Sequence, residues 1–315
     1  MKEKISALAG CALCLGFVRR PSLRETSAVD AHMSSTTSFS PAACADRLAR
    51  AWLTGETITE RGDHFTPPDV ASVYAVHEAL REHPSIGSVG GVVGYKMGGT
   101  GVAALPSGEP VPALPGLLLG PPPGVASPEF GVVAEGVSLP RARCNYSNVE
   151  AEVGFVMRST PVPASTCFPL SEADVWAAVG EVFLAIEACG SRYALEKPTA
   201  LEKSADAQSA GAVVRGRGWR VGCAGCPSAK ALAAVETTIS INGTQVASGA
   251  ASLVPLGSPL ASLTWLANHL PSRGERLRPG QTVITGACSK TKAFAVGDDI
   301  VACFGELGNV RLTFR

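Results

Sequence analysis

The octapeptide Val149-Glu150-Ala151-Glu152-Val153-Gly154-Phe155-Val156 alternates apolar and acidic side chains and then turns wholly apolar. Alternation with period two marks a β-strand, in which residues i and i+2 share a face. Val149, Ala151, Val153 and Phe155 then point to one side, and Glu150 and Glu152 stand next to each other on the opposite side. Two carboxylates that close repel. A solvent-facing edge tolerates them through hydration and screening. In a strand this apolar, a cation between them is the alternative that explains more. Hard oxygen donors of this type suit Mg2+ or Mn2+ better than zinc.

A third carboxylate lies in a second apolar run, Phe183-Leu184-Ala185-Ile186-Glu187-Ala188-Cys189. An unpaired charge there is expensive, so Glu187 needs a partner. Two are open at this point: Arg192, in a buried ion pair, or a metal shared with Glu150 and Glu152, with its remaining positions open to water or substrate.

Outward from these strands, the chain reads as helices followed by a strand-rich body. Ala42 to Leu53 has helical spacing, and Pro67-Pro68-Asp69 opens a second helix running through Leu80. Gly90 to Met97 reads as a strand with one charge, Lys96. From Pro106 to Pro128 the Pro and Gly density predicts a loop without regular structure. Ser171 to Asp174 reads as a capping box, and Phe183 to Cys189 as a strand. Asn242-Gly243 marks a hairpin within Glu236 to Val246, and Pro259 to Leu270 is a helix. Strands near Thr282 to Thr285, Asp299 to Phe304 and Val310 to Phe314 close the chain. With 34 Gly and 23 Pro among 315 residues, strand is expected to exceed helix.

Composition excludes several classes. The chain is 46% apolar and 17% charged, enough for a sizeable core, and its 27 basic residues balance 27 acidic ones. No basic stretch interleaved with aromatics offers itself to nucleic acid. Half of a dinucleotide fingerprint, Gly99-Thr100-Gly101, is followed too soon by Pro106 for the helix that would hold a pyrophosphate. The ten cysteines are scattered and several lie in apolar runs, which fits buried free thiols; Cys223-Ala224-Gly225-Cys226 lacks the second pair a zinc site needs. Residues 1–41 form an extension or targeting segment whose apolar run, Ile5 to Val18, is shorter than the ~20 residues of a membrane span. Thiols unsuited to an oxidising compartment leave the cytoplasm or the mitochondrion, with no membrane partner.

Gly94-Tyr95-Lys96-Met97-Gly98, Val149 to Val153, Ala185-Ile186-Glu187 with Ser191-Arg192, Ala205 to Gly211, Pro259 to Leu266 and Ile284-Thr285-Gly286 follow one another in an order similar to that of 2-keto-4-pentenoate hydratases. This is a family of 2-oxo-acid hydratases and decarboxylases in the fumarylacetoacetate hydrolase superfamily, and the resemblance runs from about residue 42 to the C-terminus. It implies an α+β fold with a mixed, curled β-sheet assembly and peripheral helices, usually in homo-oligomers. By the same resemblance, residues 42–95 are a small helical region and 96–315 the catalytic domain. Glu150, Glu152 and Glu187 correspond to metal ligands for Mg2+ or Mn2+. Lys96 and Ser209 correspond to catalytic residues, and Thr285, Gly286 and Arg192 to substrate contacts. Each of these also has a plainer explanation: Lys96 as a solvated strand end, Ser209 as a turn hydroxyl, Thr285 as a strand-end residue. The implied reaction is hydration of a 2-hydroxy-dienoate to a 4-hydroxy-2-oxo acid. Decarboxylation of a 2-oxo diacid and hydrolysis of an acylpyruvate are alternatives on the same site, and a non-catalytic relative is a further one. The chain departs from the family at Val111 to Leu118, where a polar loop residue is missing and Glu109 is out of register, and at Ser258, where relatives often carry His.

Overall fold

Each of the first two helices begins where a side chain accepts a backbone N–H. In the computed structural model, which describes residues 38–98, 115–120, 130–141, 144–164 and 168–315, Ser40 caps α1 (Pro41–Thr54) through the N–H of Ala43, and Gly55 ends it in the left-handed region. Asp69 caps α2 (Val70–Glu82) through Ser72, and the short α3 (Pro84–Ser88) follows. The expected extension lies outside the described residues up to 37.

The strands come next: β1 (Val92–Met97), β2 (Pro115–Leu119), β3 (Gly131–Ala134), β4 (Ser138–Leu139) and β5 (Tyr146–Met157). After α4 (Glu172–Ala178), which carries both halves of the expected capping box, comes β6 (Val179–Gly190). Then follow α5 (Ala200–Ala205), β7 (Ala212–Arg220), α6 (Ala229–Ala233) and the hairpin β8 (Glu236–Ile241) and β9 (Thr244–Ala250). Asn242 and Gly243 both have positive φ at its turn, as Asn-Gly hairpins require. The chain ends with α7 (Pro259–His269), β10 (Thr282–Ala287), β11 (Lys292–Ala293), β12 (Asp299–Cys303) and β13 (Asn309–Phe314). Strand exceeds helix among the described residues.

Two sheets result. The larger runs β2-β1-β10-β5-β6-β7-β3, with β11 added to β5; the smaller runs β4-β13-β12-β8-β9. Parallel pairing of β1 with β10 and of β3 with β7 makes the larger sheet mixed, and it curls as a half-barrel. β1 and β10 meet where Gly94 faces Thr282: a Cβ at Gly94 would lie 1.7 Å from the Thr282 carbonyl oxygen, so a residue with a side chain there would force the strands apart. Val149, Ala151, Val153 and Phe155 are fully buried on one face of β5, as their alternation predicts, with Trp176 of α4 edge-on to Phe155.

Two expectations need correction. The segment from Pro106 to Pro128 is not all loop, because Pro115-Gly116-Leu117-Leu118-Leu119 forms β2, antiparallel to β1 and wholly buried. Its proline occupies the first strand position, where a missing N–H is tolerated, and three leucines gain from burial. Its neighbours at 106–114 and 121–128, including Glu109, lie outside the described residues. Residues Thr37–Arg315 form one unit, and the expected boundary at 95/96 falls inside β1.

Candidate metal and active site

β5 and β6 pair antiparallel with Glu150 opposite Glu187, Glu152 opposite Ala185 and Asn148 opposite Cys189. Glu150, Glu152, Glu187 and Cys189 therefore share one face. Glu152 and Glu187 are fully buried, and Glu150 is half-buried.

Each carboxylate meets a protein donor among the described residues. Thr291 donates its hydroxyl hydrogen to Glu150. The N–H of Gly286 donates to Glu152 Oε2 at 2.8 Å. Here β10 breaks register between Ile284 and Ala287, and Gly286 has a φ of 105°, which glycine adopts without penalty. Lys96 Nζ donates to Glu187 Oε1 at 2.7 Å and to the Gln208 carbonyl at 3.1 Å. In the sheet order three inter-strand gaps separate β1 from β6, a span of ~14 Å if the sheet were flat. The 2.7 Å contact is a direct consequence of the curl.

What remains is unsatisfied. Glu152 Oε1 and Glu187 Oε2 are buried and have no hydrogen-bond partner among the described residues. Burial first, and then the charge of Glu187, hold the Glu152 carboxyl well above the usual carboxylate range. Burial also raises Glu187, with the Lys96 ammonium opposing it. Burial alone would push Lys96 down, but the surrounding carboxylates, Glu187 first, outweigh it and the amine stays protonated. The Cys189 thiol, pushed well up by burial, is neutral and adds nothing to that balance. Without an ion, a proton shared between Glu152 and Glu187 relieves the repulsion; a divalent cation held by these carboxylates would relieve it instead.

The donor set fits such a cation. Donor atoms of Glu150, Glu187 and Cys189 lie within 4.8 Å of one another. Glu152 stands outside that group but on the same face, close enough to Glu187 for their charges to repel. Glu150 borders a cleft of about 220 Å³ that is also lined by Lys96, Gly98, Asn148, Gln208, Ser209 and Thr291 among others.

Of the residues singled out from the sequence, Lys96, Glu150, Ser209 and Gly286 line this cleft, while Glu152 and Glu187 sit buried behind it. Thr285 does not line it; its hydroxyl is buried and donates to the Val153 carbonyl at 2.9 Å. Arg192 is elsewhere too, and it is not the partner of Glu187. It is 1% exposed, paired with Asp206 and stacked 3.8 Å over the Trp52 ring. Its remaining donors hold the carbonyls of Asp206, at 3.0 Å, and Ala210, at 2.5 Å. Those carbonyls bracket Ala207, Gln208 and Ser209, three successive non-glycine residues with φ of 50°, 58° and 58°. Such backbone costs about 1–3 kcal/mol per residue and persists only where its surroundings enforce it. Arg192 supplies that enforcement, and the turn sets the Gln208 carbonyl on Lys96. Asn148, Cys189, Gln208 and Thr291 were not singled out from the sequence as site residues. The signal available for Asn148 and Cys189 was their position two residues from Glu150 and Glu187 on the same strand faces. Ser258, where relatives often carry His, caps α7 through the N–H of Ala261.

No family model matches the chain. Individual relatives do. It is 28% identical to 2-keto-4-pentenoate hydratase of Paraburkholderia xenovorans strain LB400 over 278 residues, 86% of this chain and 93% of the relative. It is 30% identical to 4-oxalocrotonate decarboxylase of Pseudomonas putida over 197 residues, 61% of this chain and 71% of the relative. The solved structure of 4-oxalocrotonate decarboxylase from Pseudomonas putida G7, complexed with magnesium and adipate, matches with a TM-score of 0.70 at 26% identity, covering 87% of this chain and 97% of that one. The chain belongs to the family of 2-keto-4-pentenoate hydratases and 4-oxalocrotonate decarboxylases within the fumarylacetoacetate hydrolase superfamily. Among the described residues no helix is long and apolar enough to cross a membrane.

Proposed function

We propose that the protein is a hydro-lyase that adds water to a small 2-hydroxy-dienoate, giving a 4-hydroxy-2-oxo acid, with Mg2+ or Mn2+ held by Glu150, Glu152 and Glu187. The observation that carries this is the pair of buried, unpartnered carboxylate oxygens next to a buried ammonium at one cleft. A cleft of about 220 Å³ suits a short acid, being smaller than pockets for drug-sized ligands. The hydratases similar over most of both chains support hydration as the reaction.

When bound, the cation would supply Lewis acidity, stabilising negative charge that develops on a 2-oxo acid. The residues of the chain do the rest. Lys96 keeps its proton and its position through Glu187 and Gln208, so it presents a fixed positive charge and a proton donor to the substrate. Protonation of the dienol at its far carbon leaves a conjugated ketone, and water then adds at C4. Asn148, Ser209 and Thr291 offer polar groups along the cleft to orient the substrate and that water. The proposal keeps the homo-oligomeric assembly implied by the resemblance, and bacterial relatives support the cytoplasm over the mitochondrion as its location.

The test gives metal-loaded full chain 2-hydroxypenta-2,4-dienoate, 4-oxalocrotonate and an acylpyruvate in parallel, following dienol absorbance, CO2 and pyruvate. Loss of dienol absorbance without CO2 is the expected result. CO2 or pyruvate formation with negligible hydration would replace hydration by decarboxylation or hydrolysis, and inactivity on all three with metal bound would favour a non-catalytic relative.

A further inference from the structure

We infer that the chain carries a second binding site, a cavity on the far side of β1 from the metal cleft, which takes a small organic anion bearing two or more negative charges. The cavity has a volume of about 450 Å³, within the ~300–1,000 Å³ range of small-molecule pockets. Arg81 of α2 and Arg273, Arg276 and Arg278 of the segment after α7 line it, together with Glu78 and Glu275. Four guanidinium groups against two carboxylates leave its wall with a net positive charge. Tyr95 also lines it, and Tyr95 and Lys96 are successive residues of β1, so their side chains point to opposite faces. The cavity shares no lining residue with the metal cleft.

Local geometry builds that wall. The helical turn Leu270–Arg273 ends at Gly274, whose φ of 72° reverses the chain and brings Glu275 back to α2. Glu275 accepts from Arg81 Nη2 at 2.9 Å, from Arg273 Nη2 at 2.8 Å and from the Tyr95 hydroxyl at 2.6 Å, which fixes all three before a ligand arrives. Arg273 supplies an independent observation. Its side chain is 8% exposed and its Cζ lies 3.8 Å from the centroid of the Tyr74 ring, yet Nε and Nη1 are buried without a hydrogen-bond partner among the described residues. Buried donors left unpaired are costly, and an oxyanion supplies the acceptors that the protein does not. Arg276 and Arg278 are exposed and in no ion pair among the described residues. A guanidinium fork binds carboxylate and phosphate alike through two parallel hydrogen bonds, so a phosphate ester and a dicarboxylate share the chemistry recognised here.

Chelator-stripped full chain is titrated calorimetrically with glycerol 3-phosphate, with succinate and with glycerol, and melting curves are recorded with each. The same titrations are made on the double variant Arg276→Ala/Arg278→Ala, on Arg273→Lys, on Lys96→Met and on Arg50→Ala, a charge control from a separate cavity. At least one of the two anions should bind the parent and raise its melting temperature, as a ligand of the native state does; glycerol should do neither. Tighter binding of glycerol 3-phosphate assigns the site to phosphate esters, and tighter binding of succinate to dicarboxylates. Affinity should fall about 10-fold or more in the double variant and in Arg273→Lys, the scale of one lost hydrogen bond to a charged group, and stay at the parent value in Arg50→Ala. If Arg273→Lys does not fold, the double variant, whose altered side chains are exposed, decides. No anion binding to the parent at millimolar concentration, or binding that the double variant keeps or that Arg50→Ala weakens equally, overturns the inference. Binding abolished by Lys96→Met but kept by the double variant places the anion in the metal cleft and overturns it as well.

Discussion

Lys96→Met is expected to lower turnover of the dienoate by about 10²–10⁴-fold while the protein still binds its divalent ion, the range usual for loss of a positioned proton donor or acceptor. Lys96 is 4% exposed and its ammonium touches Glu187 at 2.7 Å, so its removal leaves Glu150, Glu152 and Glu187 with no cation among the described residues. In the ion-free protein that is destabilising, because removing one member of a buried pair leaves the other uncompensated, at about 3–5 kcal/mol before the carboxylates take up protons. The ion restores the balance. The variant should therefore melt below the parent when stripped and regain most of the difference when loaded, and its ion affinity should not fall, since the ammonium no longer competes for Glu187. Steady-state kinetics with calorimetric ion titration checks both parts. Unchanged turnover would return Lys96 to the role of a structural counter-ion.

Arg192→Met carries the second large effect, on stability rather than ion binding. The guanidinium is buried against Trp52, paired with Asp206 and bonded to two carbonyls. Truncating it leaves Asp206 charged and buried, for which a loss of about 3–5 kcal/mol is expected, read as a lowered urea midpoint. Burial already pushes the Asp206 carboxyl up against the pull of Arg192. Adding Asp206→Leu to Arg192→Met should recover part of the loss, because an apolar pair replaces an orphaned charge. Ion affinity should be retained in the folded protein, since the ligands stand on β5 and β6, and turnover should fall through the displaced 206–210 turn. Parent-like stability with only a raised KM would instead make Arg192 a substrate contact, as the family resemblance implies.

Local signals account for what the sequence discloses. Period-two alternation places Glu150 and Glu152 on one face of β5. Helix caps at Asp69 and Ser171 and the Asn242-Gly243 turn need only neighbouring residues to be read. The rest depends on contacts between distant segments. Lys96 meets Glu187 across 91 positions only because β1 lies beside β10 and the sheet curls. Arg192 follows Glu187 so closely that an ion pair is a natural reading, yet β6 ends at Gly190 and the chain turns, delivering the guanidinium to Asp206 and Trp52. β2 is masked in the sequence by the prolines around it, and the left-handed turn at 207–209 carries none of the glycines that ordinarily announce one. Cys189 reads as one more buried thiol until β5 is laid against β6 and its sulfur falls beside two carboxylates.

The central claim, that these carboxylates hold a divalent ion for lyase chemistry, is tested most directly by calorimetric titration of Mn2+ into chelator-stripped parent, Glu150→Gln, Glu152→Gln and Glu187→Gln, each also assayed with 2-hydroxypenta-2,4-dienoate. The parent should bind one ion and hydrate the dienoate, and the three variants should lose both ion and turnover yet remain folded, because removing a clustered negative charge offsets the lost bonds. Parent-like ion binding and turnover in the variants would contradict the account.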